Sequence, residues 1–254
     1  MINIKLNKGK SIYFSSDNHL GVPNYSASLI REKLFVSWLD KIKTDAQVIF
    51  LLGDLFDFWF EYYKSVPKGF TRVLGKLAEI SDSGIKIYFF AGNHDYWTRD
   101  YFQKEIGMEV LKKSTEFKIN NKLFFIGHGD GLGPGDFKYK FLKRIFRNPL
   151  FIFLFRINYP WFGIPLGQFL SRKNKILSGN NINFTSKENE ILYHFSKKQL
   201  KRKHYDFFVF GHRHLPLKIE LGNNSYYFNT GDWINHYSFL HFKDDSLELK
   251  YFKK

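Results

Sequence analysis

Five times in this chain a short apolar run ends abruptly in a turn that carries Asp, Asn or His. The sharpest case is Val48-Ile49-Phe50-Leu51-Leu52, followed at once by Gly53-Asp54-Leu55-Phe56-Asp57. An unbroken apolar run of this length, bounded by a turn signal, predicts a buried strand. Gly53 lets the chain turn sharply and leaves room for a ligand to approach the backbone. Asp54 then stands at the carboxyl end of a strand, where open α/β sheets bind their ligands. A carboxylate buried there needs a cation, hydrogen bonds or water. Alone, a Gly-Asp pair is more often a turn or a cap. Four further segments repeat the design and change that reading. Asp17 and His19 follow a strand at 11–15, Asn93 follows 85–91, His128 follows 123–127, and His212 and His214 follow 206–210.

Together these turns offer two carboxylates, one amide and four imidazoles. There is no cysteine, so disulfides and thiolate metal sites are excluded. An oxygen and nitrogen donor set suits manganese, magnesium, iron or zinc. Two divalent ions roughly 3.5–4 Å apart, sharing a carboxylate and a hydroxide, need about this inventory. The spacings Asp17-x-His19 and His212-x-His214 let one short segment feed a site from neighbouring positions.

Between these strands the periodicity is helical. Leu29, Ile30, Leu34, Trp38, Leu39 and Ile42 share a face, with Ser26 as the expected cap. A second helix is expected over 70–81, and Thr185-x-x-Glu188 resembles a capping box opening a helix to about 203. Strands at 226–230, 239–242 and 247–251 close the chain. Strand–helix alternation that gives way to strands alone predicts a layered α/β fold, two mixed sheets flanked by helices. At 254 residues one domain, 1–254, can bury a sizeable core.

Residues 137–185 differ in kind and are expected to form a basic, aromatic lid inserted into that domain. The formal charge is +15, from 39 basic and 24 acidic residues, and 137–187 hold ten basic residues and no Asp or Glu. Such clustering points to an anionic partner. Phe151-Ile152-Phe153-Leu154-Phe155 and Tyr159-Pro160-Trp161-Phe162 are interleaved with it, which suits an interfacial membrane contact. The plainer alternative is that these groups pack onto the body of the fold. The first residues lack the plan of a secretory signal, and no apolar stretch reaches the roughly 20 residues needed to span a bilayer, so a soluble protein is expected.

The series Asp17-x-His19, Gly53-Asp54-x-x-Asp57, Gly92-Asn93-His94-Asp95, His128 and Gly211-His212-x-His214 resembles the calcineurin-like metallophosphoesterases, over residues 12–214. The resemblance implies that one ion is held by Asp17, His19, Asp54 and His214. It implies that a second is held by Asp54, Asn93, His128 and His212. Asp54 would bridge them, Asp57 and Asp95 would orient ligands, and His94 would stand beside the phosphoryl group as a catalytic residue with Asp54. The ions would most readily be Mn2+.

Asp17-Asn18-His19-Leu20-Gly21, His128-Gly129-Asp130-Gly131 and Gly231-Asp232-Trp233 look like one branch in particular. Its members split the pyrophosphate of UDP-2,3-diacylglucosamine in lipid A biosynthesis. That likeness implies a lipid-linked nucleotide substrate, a cytoplasmic protein peripheral to the inner membrane, and an anionic membrane surface as partner. It makes Asn93, His94, Asp136, Tyr139, Arg172, Lys173, Asn174, Lys175 and His212 candidate substrate contacts. The best-known members carry Arg where this chain has His94. The competing readings are a phosphatase, nucleotide pyrophosphatase or nuclease acting on a soluble anion, and a non-catalytic membrane-surface protein on the same scaffold. Nucleic acid fits poorly, since a phosphate-tracking groove has little use for so dense an apolar run.

Overall fold

The computed structural model describes residues 1–135, 137–177 and 184–252, with side chains throughout except at 170 and 172–177. The chain opens with β1 (Ile2–Ile4), β2 (Ser11–Ser15), α1 (Tyr25–Ile42), β3 (Ala46–Leu51), α2 (Thr71–Asp82) and β4 (Lys86–Phe90). It continues through α3 (Tyr101–Lys104), β5 (Glu109–Leu111), β6 (Thr115–Ile119) and β7 (Lys122–Ile126). Three successive helices follow, α4 (Phe137–Phe146), α5 (Pro149–Ile157) and α6 (Pro160–Leu177), then α7 (Ile191–Leu200). The last strands are β8 (Phe207–Phe210), β9 (Pro216–Gly222), β10 (Ser225–Thr230), β11 (Ser238–Lys243) and β12 (Ser246–Tyr251).

The strands form two six-stranded sheets, β12-β11-β2-β3-β4-β5 and β1-β6-β7-β8-β10-β9. In the first, β2, β3, β4 and β5 run parallel, and β11 and β12 are antiparallel. In the second, β7, β8 and β10 run parallel between antiparallel neighbours. The mixed pairing expected from the sequence is therefore present.

Side chains alternate across a strand, and β3 shows why its run is continuously apolar. Phe50 faces the other sheet, stacking on Phe14 at 4.8 Å and meeting Phe117 edge-on at 5.0 Å. Ile49 and Leu51 face the opposite way, into a core with Trp38 and Leu39 of α1 and Leu77 of α2. Helix α7 covers the outer face of the second sheet, where Leu192 joins Phe208, Phe210 and Tyr227. Both faces of both central strands are thus sealed, which leaves the strand ends as the places where polar groups gather.

Two caps differ from the sequence reading. Asn24 caps α1, its side chain accepting from Ala27 N at 3.0 Å, and Ser26 lies within the first turn. Glu190 caps α7, preceded by a 3-10 turn over Lys187–Asn189 that takes up Glu188. Arg213 Nε at 3.1 Å and Tyr227 Oη at 3.3 Å fix Glu190 there, so tertiary contacts set the helix start.

The inserted helices are both packed and exposed. Ile152, Phe155 and Ile164 pack on Phe58, Phe60, Tyr62 and Trp97. A Cβ at Gly163 would strike Tyr62 and one at Gly167 would strike Phe58, so α6 approaches this closely only because both positions are glycine. The outward side carries Phe137 and Trp161, 82% and 76% exposed, together with Phe141, Leu150, Phe153, Leu154 and Phe169. Lys143 and Arg147, by contrast, are spent on Asp130, and Arg156 donates to Glu61 O. Among the described residues no helix is long and apolar enough to cross a membrane.

Phe155→Ala removes the centre of the lid's contact with the body. We expect it to cost the docked lid roughly 1.5–2.5 kcal/mol, half of what the loss of a fully buried ring costs. Limited proteolysis should then cut within 137–177 faster while the melting temperature of the body changes little.

Candidate metal centre

The turns that follow β2, β3, β4, β7 and β8 meet at one end of the two sheets. Their backbone is unusual. Asp17, His19, Asp54, His212 and His214 all have left-handed φ, between 43° and 67°. Residues with a Cβ avoid this region and persist there where surrounding structure enforces it. Here adjoining turns enforce it by hydrogen bonding: Asp17 N donates to Gly53 O at 3.1 Å, His19 N to Asp54 O at 2.9 Å, and Gly211 N to His128 O at 2.9 Å. Close packing adds to it. A Cβ at Gly53 would lie 2.7 Å from Gly92 Cα and 2.8 Å from His128 Nδ1, so the β3 and β4 turns approach this closely only because glycine stands there.

Seven side chains converge from these turns. Asp17, His19 and His214 form one group with ligand atoms within 4.8 Å of one another, and Asp54, His128 and His212 form a second. Asp54 Oδ2 lies between them, 3.7 Å from His19 Nε2 and 3.3 Å from His128 Nε2. Asn93 Oδ1 completes the second group, 3.1 Å from His128 Nε2.

Three of the four imidazoles have the far nitrogen beside an acceptor, which decides what the near one offers. His128 Nδ1 is 2.7 Å from Leu52 O, an acceptor, so Nδ1 carries the hydrogen. Its Nε2 lone pair then faces Asp54 Oδ2 and Asn93 Oδ1. His19 Nδ1 is 3.3 Å from Asp57 Oδ1, and His214 Nδ1 is 3.4 Å from Asp232 Oδ2. Their Nε2 atoms face each other at 3.1 Å, beside Asp17 Oδ1 at 3.2 Å from His214. The other carboxylate oxygen, Asp17 Oδ2, accepts from Ser16 Oγ and from His212 N at 2.9 Å, while Oδ1 accepts no hydrogen bond. Lone pairs facing lone pairs in a buried space repel unless a proton or a cation lies between them. Both groups therefore fit a divalent ion.

The titration behaviour agrees. Burial pushes the His128 imidazolium down, but the Asp54 carboxylate outweighs it and raises His128 to about 10. Burial and the charge on His128 depress His212 to about 4. Burial opposes ionisation of Asp17 and Asp54 as well, yet the surrounding histidines hold both below the ordinary carboxylate range. A proton on His128 takes the place that a cation would fill.

The remaining expected site residues fall into three sets. Asp57 reaches His19, as described. Asp95 bonds backbone instead of a ligand side chain, accepting from Leu55 N and Gly92 N at 2.8 Å each and tying the β3 turn to the β4 turn. Burial and the nearby Asp54 charge raise it to about 7. His94 N donates to Asp54 Oδ1 at 2.9 Å, and its ring presents Nε2 4.0 Å from Asp54 Oδ2. Tyr139 reaches the rim, its ring 6.2 Å from His212 and its hydroxyl donating to Asp130. Asp136 lies outside the described residues. Arg172, Lys173, Asn174 and Lys175 lie on α6, their side chains outside the description.

Sequence reasoning assigned no role to three residues that the geometry singles out. Asp232 accepts from Asn235 N at 2.9 Å and His236 N at 3.0 Å through Oδ1, leaving Oδ2 for His214. Asp130, two residues after His128, gathers Tyr139 and Lys143 of α4 and Arg147 just beyond it. Ser171 of α6 reaches His94 and Asp57. For Asp232 a signal existed, since it too follows a strand and a glycine.

Two outcomes follow. Asp232→Asn weakens the partner that orients His214, and outer partners of this kind are worth about tenfold to a hundredfold in affinity. Calorimetric titration with Mn2+ should show one of two sites weakened by that factor. Ion binding must also displace the His128 proton, so affinity rises with pH, about tenfold per unit between 7 and 9. Titration in buffers of different ionisation heat should report a released proton, and a pH-independent affinity would contradict the protonated state.

The chain is also similar to known proteins. Curated relatives named UDP-2,3-diacylglucosamine hydrolase include one from Porphyromonas gingivalis W83, 38% identical over 94% of this chain and 96% of its own. Others come from Haemophilus influenzae PittGG, 26% identical over 96% and 99%, and Pseudomonas fluorescens SBW25, 29% identical over 79% and 80%. The model of the calcineurin-like phosphoesterases matches residues 10–216, from the strand before Asp17 to just beyond His214. This chain is therefore a member of the calcineurin-like phosphoesterase family.

Proposed function

We propose that this protein hydrolyses the pyrophosphate bond of UDP-2,3-diacylglucosamine, giving UMP and 2,3-diacylglucosamine 1-phosphate in lipid A biosynthesis. The observation that carries the reading is the paired ligand set lying under a helical lid with an apolar outer surface. Anionic chemistry and an aliphatic substrate would each account for one half of it. The names of the full-length relatives support the same substrate.

In this reading Asp17, His19, Asp54 and His214 hold one ion and Asp54, Asn93, His128 and His212 the other, with Mn2+ favoured by the oxygen and nitrogen donors. Two bound ions supply an acidified water and neutralise charge on the phosphoryl oxygens. The chain's own residues do the rest. Asp54 holds both halves in register through its shared carboxylate. Asn93, His94 and His212 border the space in which the phosphoryl group lies; His94, held through Nδ1–H and taking up a second proton at Nε2 beside the bound phosphate, donates a hydrogen bond to it or that proton to the leaving oxygen. Asp136 and Tyr139 contact the substrate at the rim, and Arg172, Lys173, Asn174 and Lys175 meet the head group. The chain acts as one domain, with the lid at 137–185 placing it peripherally on the cytoplasmic face of the inner membrane.

The exposed lid aromatics favour this over a soluble anion or a polynucleotide, whose binding would leave that surface unused. Replacing Trp161 and Phe162 together by Glu should lower binding to anionic lipid vesicles by about tenfold or more. Cleavage of a small diester should be unchanged. The substrate itself is tested by product analysis with Mn2+ and UDP-2,3-diacylglucosamine in detergent. UMP and the lipid monophosphate are expected. Brisk cleavage of a generic diester with none of the lipid nucleotide would keep the metal centre and remove the substrate.

A further inference from the structure

The lid touches the metal centre's turns through a hydroxyl on α6. Ser171 Oγ donates to Asp57 O at 2.8 Å, with Asp57 Oδ2 also at 3.2 Å, and lies 2.7 Å from His94 Nδ1. His94 Nδ1 is itself 2.8 Å from Asp57 O. A carbonyl oxygen only accepts, so Nδ1 carries the hydrogen and shares it between Asp57 O and Ser171 Oγ. That fixes the tautomer. It also fixes the ring plane, because two acceptors from two different elements hold the same N–H. The opposite nitrogen, Nε2, is then the one presented beside Asp54 Oδ2. Asp57 meanwhile uses its carboxylate on His19 Nδ1 at 3.3 Å. The lid hydroxyl thus sits where the orientations of two site histidines meet.

We propose that Ser171 is a positioning residue for hydrolysis: seating of α6 brings its hydroxyl onto Asp57 and His94, and this sets the ring of His94 for the reaction. The inference rests on the reading that His94 faces the phosphoryl group. It goes beyond that reading by making lid seating and readiness of the site a single event. The effect of Ser171 passes through His94 and needs no acyl chain.

The test uses the full chain loaded with Mn2+ and bis(4-nitrophenyl) phosphate, a diester with no lipid. Ser171→Ala should lower kcat about tenfold, as misplacing a reacting group does, with KM within about twofold. Ser171→Thr, which keeps the hydroxyl, should restore most of the rate. In a His94→Gln background the same Ser171→Ala change should alter the rate less than about twofold, since coupled residues are not additive. Melting temperature and Mn2+ content of Ser171→Ala should match the parent. Independently of turnover, 15N spectra of the Mg2+-loaded parent should show one sharp His94 Nδ1–H resonance, and Ser171→Ala, which leaves Asp57 O as the acceptor, should shift and broaden it as the ring loses its second anchor. Three results would overturn the proposal: full losses that multiply in the double variant, a loss confined to the lipid substrate, or a His94 Nδ1–H resonance unchanged in position and width. Failure to cleave UDP-2,3-diacylglucosamine with the diester results intact would remove the substrate assignment and leave this one standing.

Discussion

Everything in this molecule answers to a carboxylate, Asp54, that is almost fully buried at a strand end. An isolated charge in such a place is prohibitively costly, and the fold offsets it by bringing histidines from three directions. Doing so requires five residues in left-handed backbone, a conformation that other residues would relax out of. The strain is carried by glycine contacts and by hydrogen bonds between the turns, themselves held by two rigid sheets. The arrangement is preorganised. Its donor atoms already converge, and the outer nitrogens of three histidines already stand beside Leu52, Asp57 and Asp232.

The aromatic weight of the chain serves the same end. Phe14, Phe50, Tyr88 and Phe117 stack between the sheets directly behind the turns. Rings of this size leave few ways for one sheet to slide on the other, so distances across the site are defended by packing as well as by hydrogen bonds. The lid is attached differently, by one apolar contact around Trp97 and by polar tethers at Asp130, Glu61 and Asp57.

The meeting of the seven side chains was legible in the sequence because each follows a continuous apolar run, and a buried strand has little freedom in where it ends. Fold class followed from the same runs. Strands β1, β5, β6 and β9 were not legible, being short or mixed in polarity; β1, β5 and β9 are sheet edges and β6 lies next to one. The cap of α1 was read at Ser26 where Asn24, two residues earlier, caps the helix, and the capping box Thr185-x-x-Glu188 was read for α7 because local propensity cannot see Arg213 and Tyr227 closing on Glu190. The charge of the insertion was read as facing outward, yet Lys143, Arg147 and Arg156 turn inward to partners that no local pattern reveals. Asp232 escaped because its partner His214 lies eighteen positions earlier, across a strand pair.

The central claim is that Asp54 is shared between two ions. Electron paramagnetic resonance of the protein loaded with Mn2+ tests it most directly. Two ions bridged by one carboxylate give an exchange-coupled spectrum, with two equivalents bound per chain. An isolated six-line signal at saturation, with one equivalent bound, would contradict it.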